Sequence, residues 1–399
     1  MRDYRANLWK FYFASVLSGF AAFYNGVDTL YFRHFLLDFE QISFLISAAL
    51  IATLLFEVPT GSFADMYGKK RSILAGSFVR LGGLGFLTFG STFGAFVIGF
   101  VLLGIGRAFE SGAGSALLYE FLASVDRQHE YIQHQSRIQA GFVGIDIISG
   151  SVGFRLFAIN VRIPFIVSFA SMVLVILVQL TLREIPVQRT RKGNLLRAHL
   201  RQIHEGISVT FKSRVVLWLT GFSLAFFIAG MFFGNVLNLP FLREAKRFST
   251  TELAIMGLVW NTIQTATIIF IGRIERRLGQ TLSLITIVVL TPALFLALLL
   301  SDHYLVSAVI LGLYFSIVSF REVIVDSYLN THIQSYHRAT VLSVNSMLLS
   351  GLAIVVLPVL GNLLNTFGLR SMMLLLAMST FLWGALSLAI KRYVLAEGP

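Results

Sequence analysis

The chain contains no cysteine, and that absence removes disulfides, thiolate metal sites and cysteine nucleophiles together. Charged residues are also sparse, 13% of 399, against 56% hydrophobic. A soluble fold cannot cover so much apolar surface with so few charges, so lipid is the expected solvent. No G-x-x-x-x-G-K-[ST] phosphate loop occurs, which excludes ATP hydrolysis by the chain itself, and no nucleophile motif is found. His129, His134, His332 and His337 lie in expected loops without metal-ligand spacing. The expectation is a protein that is not an enzyme, with no cofactor and no metal site. The short alternating strands of an outer-membrane barrel are missing as well.

What the chain does have is a mean hydropathy of +0.77, with Leu, Ile, Val and Phe gathered into runs of about twenty residues. At that length a helix crosses about 30 Å of hydrocarbon with its backbone satisfied internally. The expected spans are 9–32, 41–63, 72–91, 93–122, 136–158 and 163–182, then 214–238, 251–272, 281–301, 303–327, 339–362 and 368–391. The fold class is therefore an all-α membrane protein of about twelve transmembrane helices. It divides into an N-terminal bundle over 1–182, a cytoplasmic linker over 183–213 and a C-terminal bundle over 214–399. The first run continues past the apolar core of a signal peptide and lacks a small-residue cleavage site, so it is expected to be a retained span. The linker is the one long polar stretch, with Leu195, Leu196, Leu200 and Ile203 expected on one side of an amphipathic surface helix.

A net charge of +12 would suit nucleic acid if it were gathered on one face. Instead the basic residues sit on alternate loops: Arg2, Arg5 and Lys10; Lys69 to Arg71; the linker; Arg273, Arg276 and Arg277; Lys391 and Arg392. By the positive-inside rule this puts both termini and the linker in the cytoplasm, with the chain in the inner membrane. The expected partners are the lipid bilayer, a small-molecule substrate and protons. Neither nucleic acid nor an obligatory protein partner is expected.

Two loops repeat each other. Gly61, Asp65, Gly68, Lys69 and Lys70 follow the second span, and Gly272, Glu275, Arg276, Arg277 and Gly279 follow the eighth. In both, two glycines bracket an acid and adjoin basic residues, which points to duplicated halves. Gly61 and Gly68 would permit a tight cytoplasmic hairpin, and Asp65 could face a helix N-terminus or a basic residue in one conformation only. The first loop resembles the G-x-x-x-D-x-x-G-[RK]-[RK] signature of the major facilitator superfamily. Glu57-Val-Pro59-Thr60-Gly61, Ser111 to Tyr119 and Arg338 to Ser343 are similar to a bacterial branch of that family. The resemblance implies two six-helix bundles related by pseudo-symmetry around a central cavity, worked by alternating access. It also assigns Gly61, Asp65, Gly68, Lys69 and Lys70, together with Glu57, Glu275 and Arg338, to conformational gating.

Ionisable groups at bilayer depth are costly and are functional candidates by default. Arg107 and Glu110 lie three apart on one helical face, where they can neutralise each other, and Asp146 falls at a similar depth on the next span. The three form the preferred coupling cluster, with a permanent structural network as the competing reading. Arg107 also matches an arginine that the family often carries in its fourth helix, where it is associated with proton coupling. Asp28, Arg321, Glu322 and Asp326 are further coupling or substrate candidates, and Arg80 has no assigned partner. Phe226, Phe227, Phe232 and Phe233 could line an apolar pocket. The expected function is proton-coupled export of a small organic or amphiphilic compound. Drug antiporters of the family carry a glycine-proline motif in the fifth helix, whereas Gly141 to Gly153 here has no proline. Import or facilitated passage of a polar metabolite is therefore the alternative, and a non-transporting sensor or scaffold is the alternative from another class.

Overall fold

The structure, a computed structural model, describes residues 2–111, 113–182, 208, 210–333 and 338–396. All regular structure among these residues is helical. The elements are α1 (Arg2–Phe20), α2 (Asp28–His34), α3 (Phe39–Tyr67), α4 (Lys69–Phe89), α5 (Phe93–Glu110), α6 (Ala113–Ala123), α7 (Tyr131–Ile159) and α8 (Ile163–Leu180). They continue as α9 (Arg214–Phe232), α10 (Thr250–Leu300), α11 (Tyr304–His332) and α12 (Arg338–Ala396). Most of the linker expected over 183–213, with its amphipathic helix, lies outside the described residues.

Eight helical stretches among the described residues are long and apolar enough to cross a membrane. Two of them are double: α10 is broken at Gly279 and α12 at Gly368, each at a positive φ. The twelve expected spans are completed by the first, which is interrupted, and by α7, whose 29 residues are long enough to cross. The expected single span over 9–32 is instead α1, a 3-10 turn over Phe23–Gly26, and the short α2. Asn25 and Gly26 favour turns over helix interior, and they fall in the 3-10 turn that separates α1 from α2. The seventh span also runs on past Leu239, through two π turns, to Ala245.

Two compact units make up the chain: Met1–Leu37 with Phe44–His199, and Asp38–Ser43 with Leu200–Pro399. In the first, Leu17, Ala21, Leu84, Met172, Val175 and Ile176 form a buried cluster joining α1, α4 and α8. In the second, Phe222, Phe226, Leu284, Ile287, Phe320 and Ile324 do the same for α9, α10 and α11. Leu55, Met378 and Leu382 stay exposed, as side chains facing lipid can. Lipid gives no hydrophobic drive to helix association, so close backbone approach matters more. It is seen where α4 crosses α5: a Cβ on Gly76 would stand 2.8 Å from the Gly106 carbonyl oxygen, and one on Gly83 2.8 Å from that of Gly99. The two glycine pairs are one heptad apart on each antiparallel helix, so one seam carries both.

Candidate functional site

The signature loop is built from one residue. Gly68, at φ 105° and ψ 151°, lies in a region essentially closed to other residues, and it alone separates α3 from α4. Gly279, at φ 68° and ψ 175°, does the same inside α10. The hairpin expected to need two glycines therefore needs one. Gly61 sits within α3, and a Cβ there would meet nothing within 4 Å. Asp65 pairs with Lys69 one helical turn on, across the Gly68 turn. Lys70 Nζ donates to the Leu180 carbonyl at 2.9 Å and Lys10 Nζ to that of Thr181 at 2.7 Å, so two cations meet the carbonyl end of α8. The second copy is wired differently: Glu275 accepts from the Tyr328 hydroxyl at 3.4 Å, while Arg276 Nε bonds the Gly272 carbonyl at 3.1 Å.

Pro59 inside α3 removes the N–H that would reach the Leu55 carbonyl. The Thr60 hydroxyl bonds the next two carbonyls, Phe56 at 2.7 Å and Glu57 at 3.2 Å. The Glu57 side chain is exposed and makes no hydrogen bond or ion pair among the described residues.

The charges of the first unit are arranged otherwise than the sequence spacing suggests. Arg107 does not pair with Glu110. Arg80 Nη1 from α4 donates to Glu110 Oε2 at 2.7 Å, and the Ser77 hydroxyl donates to Oε1 at 3.2 Å. The cause is the glycine seam. A Cβ on Gly106 would stand 2.3 Å from Arg80 Cγ, so the missing side chain lets Arg80 lie flat across α5 and reach Glu110 one turn further. Arg107, on the same helix, is exposed and makes no ion pair among the described residues.

Arg80, Arg107 and Asp28 all lie within electrostatic range of the Tyr24 hydroxyl, at the break in the first span. Asp28 Oδ1 accepts from the Thr29 N–H at 2.8 Å and has no basic partner at ion-pair distance among the described residues. Two arginines and two carboxylates thus share one region beside an interrupted helix, the kind of span in which transporters expose polar groups at membrane depth. The Asp146 side chain, third member of the expected cluster, and that of Arg338 lie outside the described residues.

In the second unit Arg321 is buried, 6% exposed, and Nη1 donates to the Ser223 hydroxyl. Its guanidinium stands 6.0 Å from the Phe227 ring. Glu322 and Asp326 are exposed and lie within electrostatic range of it, but form no ion pair with it. Of the four phenylalanines expected to line a pocket, Phe226, Phe232 and Phe233 are buried and Phe227 is half-buried.

Sequence reasoning missed two arrangements. Arg80 had no partner, although the positions add up: Gly76 opposes Gly106, Arg80 is one turn beyond the first and Glu110 one turn beyond the second. His134 was expected in a loop. It is buried in the first turn of α7, joined to the Tyr12 hydroxyl and, at 3.1 Å, to Glu130 Oε2. No group of three or more His, Cys, Asp or Glu able to hold a metal ion occurs among the described residues.

Comparison with known proteins agrees with this architecture. The chain is 24% identical over 386 residues to the uncharacterized MFS-type transporter YxaM of Bacillus subtilis (strain 168), with 92% of each chain covered. Its fold is similar to that of the nucleoside transporter NupG (TM-score 0.75, 14% identity, 97% and 99% of the two chains covered). It is likewise similar to a bacterial homolog of the human lysosomal transporter Spinster (0.74, 15%, 99% and 98%) and to a D-xylose-proton symporter (0.69, 13%, 97% and 97%). The Major Facilitator Superfamily model matches residues 11–356. With the glycine-hinged repeat and the helical membrane fold already in place, that match makes the chain a member of the Major Facilitator Superfamily, a multi-pass membrane protein and secondary transporter, in a family of transporters and not of enzymes.

Proposed function

We propose that this chain exports a small organic or amphiphilic compound against an inward flow of protons, by alternating access, from the inner membrane with both termini in the cytoplasm. The observation that carries the reading is the Arg80–Glu110 pair with Asp28, Arg107 and Tyr24 close by. A carboxylate beside an arginine can bind or release a proton when alternating access changes what surrounds the pair. With two arginines and two carboxylates the cluster is neutral when both acids are ionised, and one bound proton leaves it at plus one. The D-xylose-proton symporter of similar fold supports the idea that this architecture accommodates proton coupling.

The conformational part of the cycle is assigned to Gly61, Asp65, Gly68, Lys69 and Lys70, with Glu57, Glu275 and Arg338. The Asp65–Lys69 pair across the Gly68 hinge supports it. The test is transport in proteoliposomes under an imposed pH gradient. Efflux that stops when the gradient is collapsed, and that Glu110→Gln uncouples, is expected. Transport indifferent to the gradient removes the coupling, and accumulation in expressing cells instead of depletion reverses the direction. The second reading, import of a polar metabolite, is favoured by the proline-free stretch from Gly141 to Gly153.

A further inference from the structure

We infer that Arg321 and Tyr314 form the anchor of a binding site for an organic anion, a carboxylate borne on an aromatic or apolar body, in the seam between α9 and α11. The inference rests on the reading of the chain as a transporter of small organic compounds and supplies the class of compound.

The seam is antiparallel and in register. Ser223, Phe227 and Gly230 occupy one face of α9, and Tyr314, Val318 and Arg321 occupy one face of α11, each set spaced four and then three residues apart. Nη1 of Arg321 bonds Ser223, and the Arg321 guanidinium lies 6.0 Å from the Phe227 ring. A Cβ on Gly230 would stand 3.7 Å from Val318 and 3.9 Å from the Tyr314 hydroxyl. Phe227, Gly230 and Val318 are only partly buried, so the seam is reached from outside.

Among the described residues Arg321 has no carboxylate at ion-pair distance. A guanidinium carries five N–H donors. Among the described residues one hydrogen bond is made, to a neutral hydroxyl, and Nε is buried without a partner. The nearest carboxylates on its own helix point elsewhere. Glu322 is turned by about 100° and Asp326 by about 140° from it on a helix of 3.6 residues per turn, and both are exposed. From α9 the facing groups are Ser223 and Phe227, neither of them charged. A buried charge is ordinarily paired, and beyond its Nη1 bond to Ser223 this one keeps its other guanidinium donors, the kind a carboxylate accepts, unused.

Tyr314 adds a second donor. Its hydroxyl makes no hydrogen bond among the described residues, and it lies within electrostatic range of Arg321. The Tyr314 ring is held from behind by aromatic packing, with the rings of buried Phe233 and Phe295 each 4.8 Å from it. A buried cation beside the partly exposed Phe227 ring selects an acid on an aromatic or apolar body over a neutral sugar or a cation.

The test is thermal stability of the purified full-length protein in detergent, with benzoate and salicylate set against benzamide and salicylamide, their neutral counterparts. Both acids are expected to raise the wild-type Tm dose-dependently, and neither amide to do so. Arg321→Gln should weaken the acids by at least about tenfold, while Arg321→Lys, which keeps the charge and loses the fork, should retain a weaker response. Without ligand, Arg321→Gln should be no less stable than wild type, because it removes an uncompensated charge. Equal shifts by acids and amides, no shift by either acid, an undiminished response in Arg321→Gln, or a ligand-free loss of stability in that variant would each overturn the assignment. No gradient is applied, so a negative result leaves gradient-driven export standing. Failure of coupling likewise leaves the anion site standing.

Discussion

Replacing Glu110 with Gln removes one half of a charge pair whose other half cannot leave. Arg80 Nη1 and Glu110 Oε2 are 2.7 Å apart, and the side chains are 22% and 26% exposed. Two unit charges about 4 Å apart attract by about 4 kcal/mol at an effective dielectric of about 20. Water reaches roughly a quarter of each side chain here, so about 2 kcal/mol is the coupling to expect once solvent screening is allowed for. The assay is a double-mutant cycle: Glu110→Gln, Arg80→Met and the double variant, each followed by denaturant titration in mixed micelles. Each single variant strands a charge and loses stability, whereas the double variant recovers most of the loss. Additive losses, with a coupling below about 0.5 kcal/mol, would refute the pairing as an energetic unit. Transport separates stability from function. If the pair couples protons, the double variant regains stability without regaining gradient-driven movement.

Three further outcomes follow from the geometry. Gly68→Ala and Gly279→Ala place a side chain in a region essentially reserved for glycine and should cost about 1–3 kcal/mol each. Gly61→Ala, in a helix and open on all sides, should be neutral or stabilising by up to about 1 kcal/mol; thermal inactivation rates compare the three. Gly106→Leu drives a side chain into Arg80 and the Gly76 carbonyl, so about 1–3 kcal/mol of overpacking should accompany the transport defect of Glu110→Gln. Wild-type transport in that variant would contradict the seam. Asp302, in the turn after α10, is held below the usual carboxylate range by the hydrogen bond from Lys246, 2.9 Å long, and by its charge. A depressed carboxylate contributes above its ordinary range and loses that contribution as acid protonates it, near and below about pH 4. Asp302→Asn should therefore flatten the acid limb of the stability profile, and an unchanged limb argues against the contact.

Much of the fold was legible because its rules are local. Runs of apolar residues and the glycines at 68 and 279 mark crossings and turns without reference to anything distant. The break in the first span was harder: Asn25, Gly26 and Asp28 sit inside an otherwise apolar run, and hydropathy averages over them. The partner of Glu110 was out of reach for another reason. Arg107 is three residues away and Arg80 is thirty, and the choice between them rests on how closely two backbones approach. Glycine spacing encodes that approach only when both helices are read together. The isolation of Arg321 is likewise a tertiary fact. Glu322 adjoins it in the sequence, yet a helix turns neighbours apart.

The one-residue turns at Gly68 and Gly279 bear on where the chain can be lengthened. Two long apolar helices joined through a single pair of torsions leave no loop that could absorb extra residues. An insertion there must displace the end of one helix against the other. Peptide tags or reporter domains spliced into these turns should therefore lower the stability of the folded protein, whereas the same insert at a longer connection, such as Leu36 to Asp38, should be better tolerated.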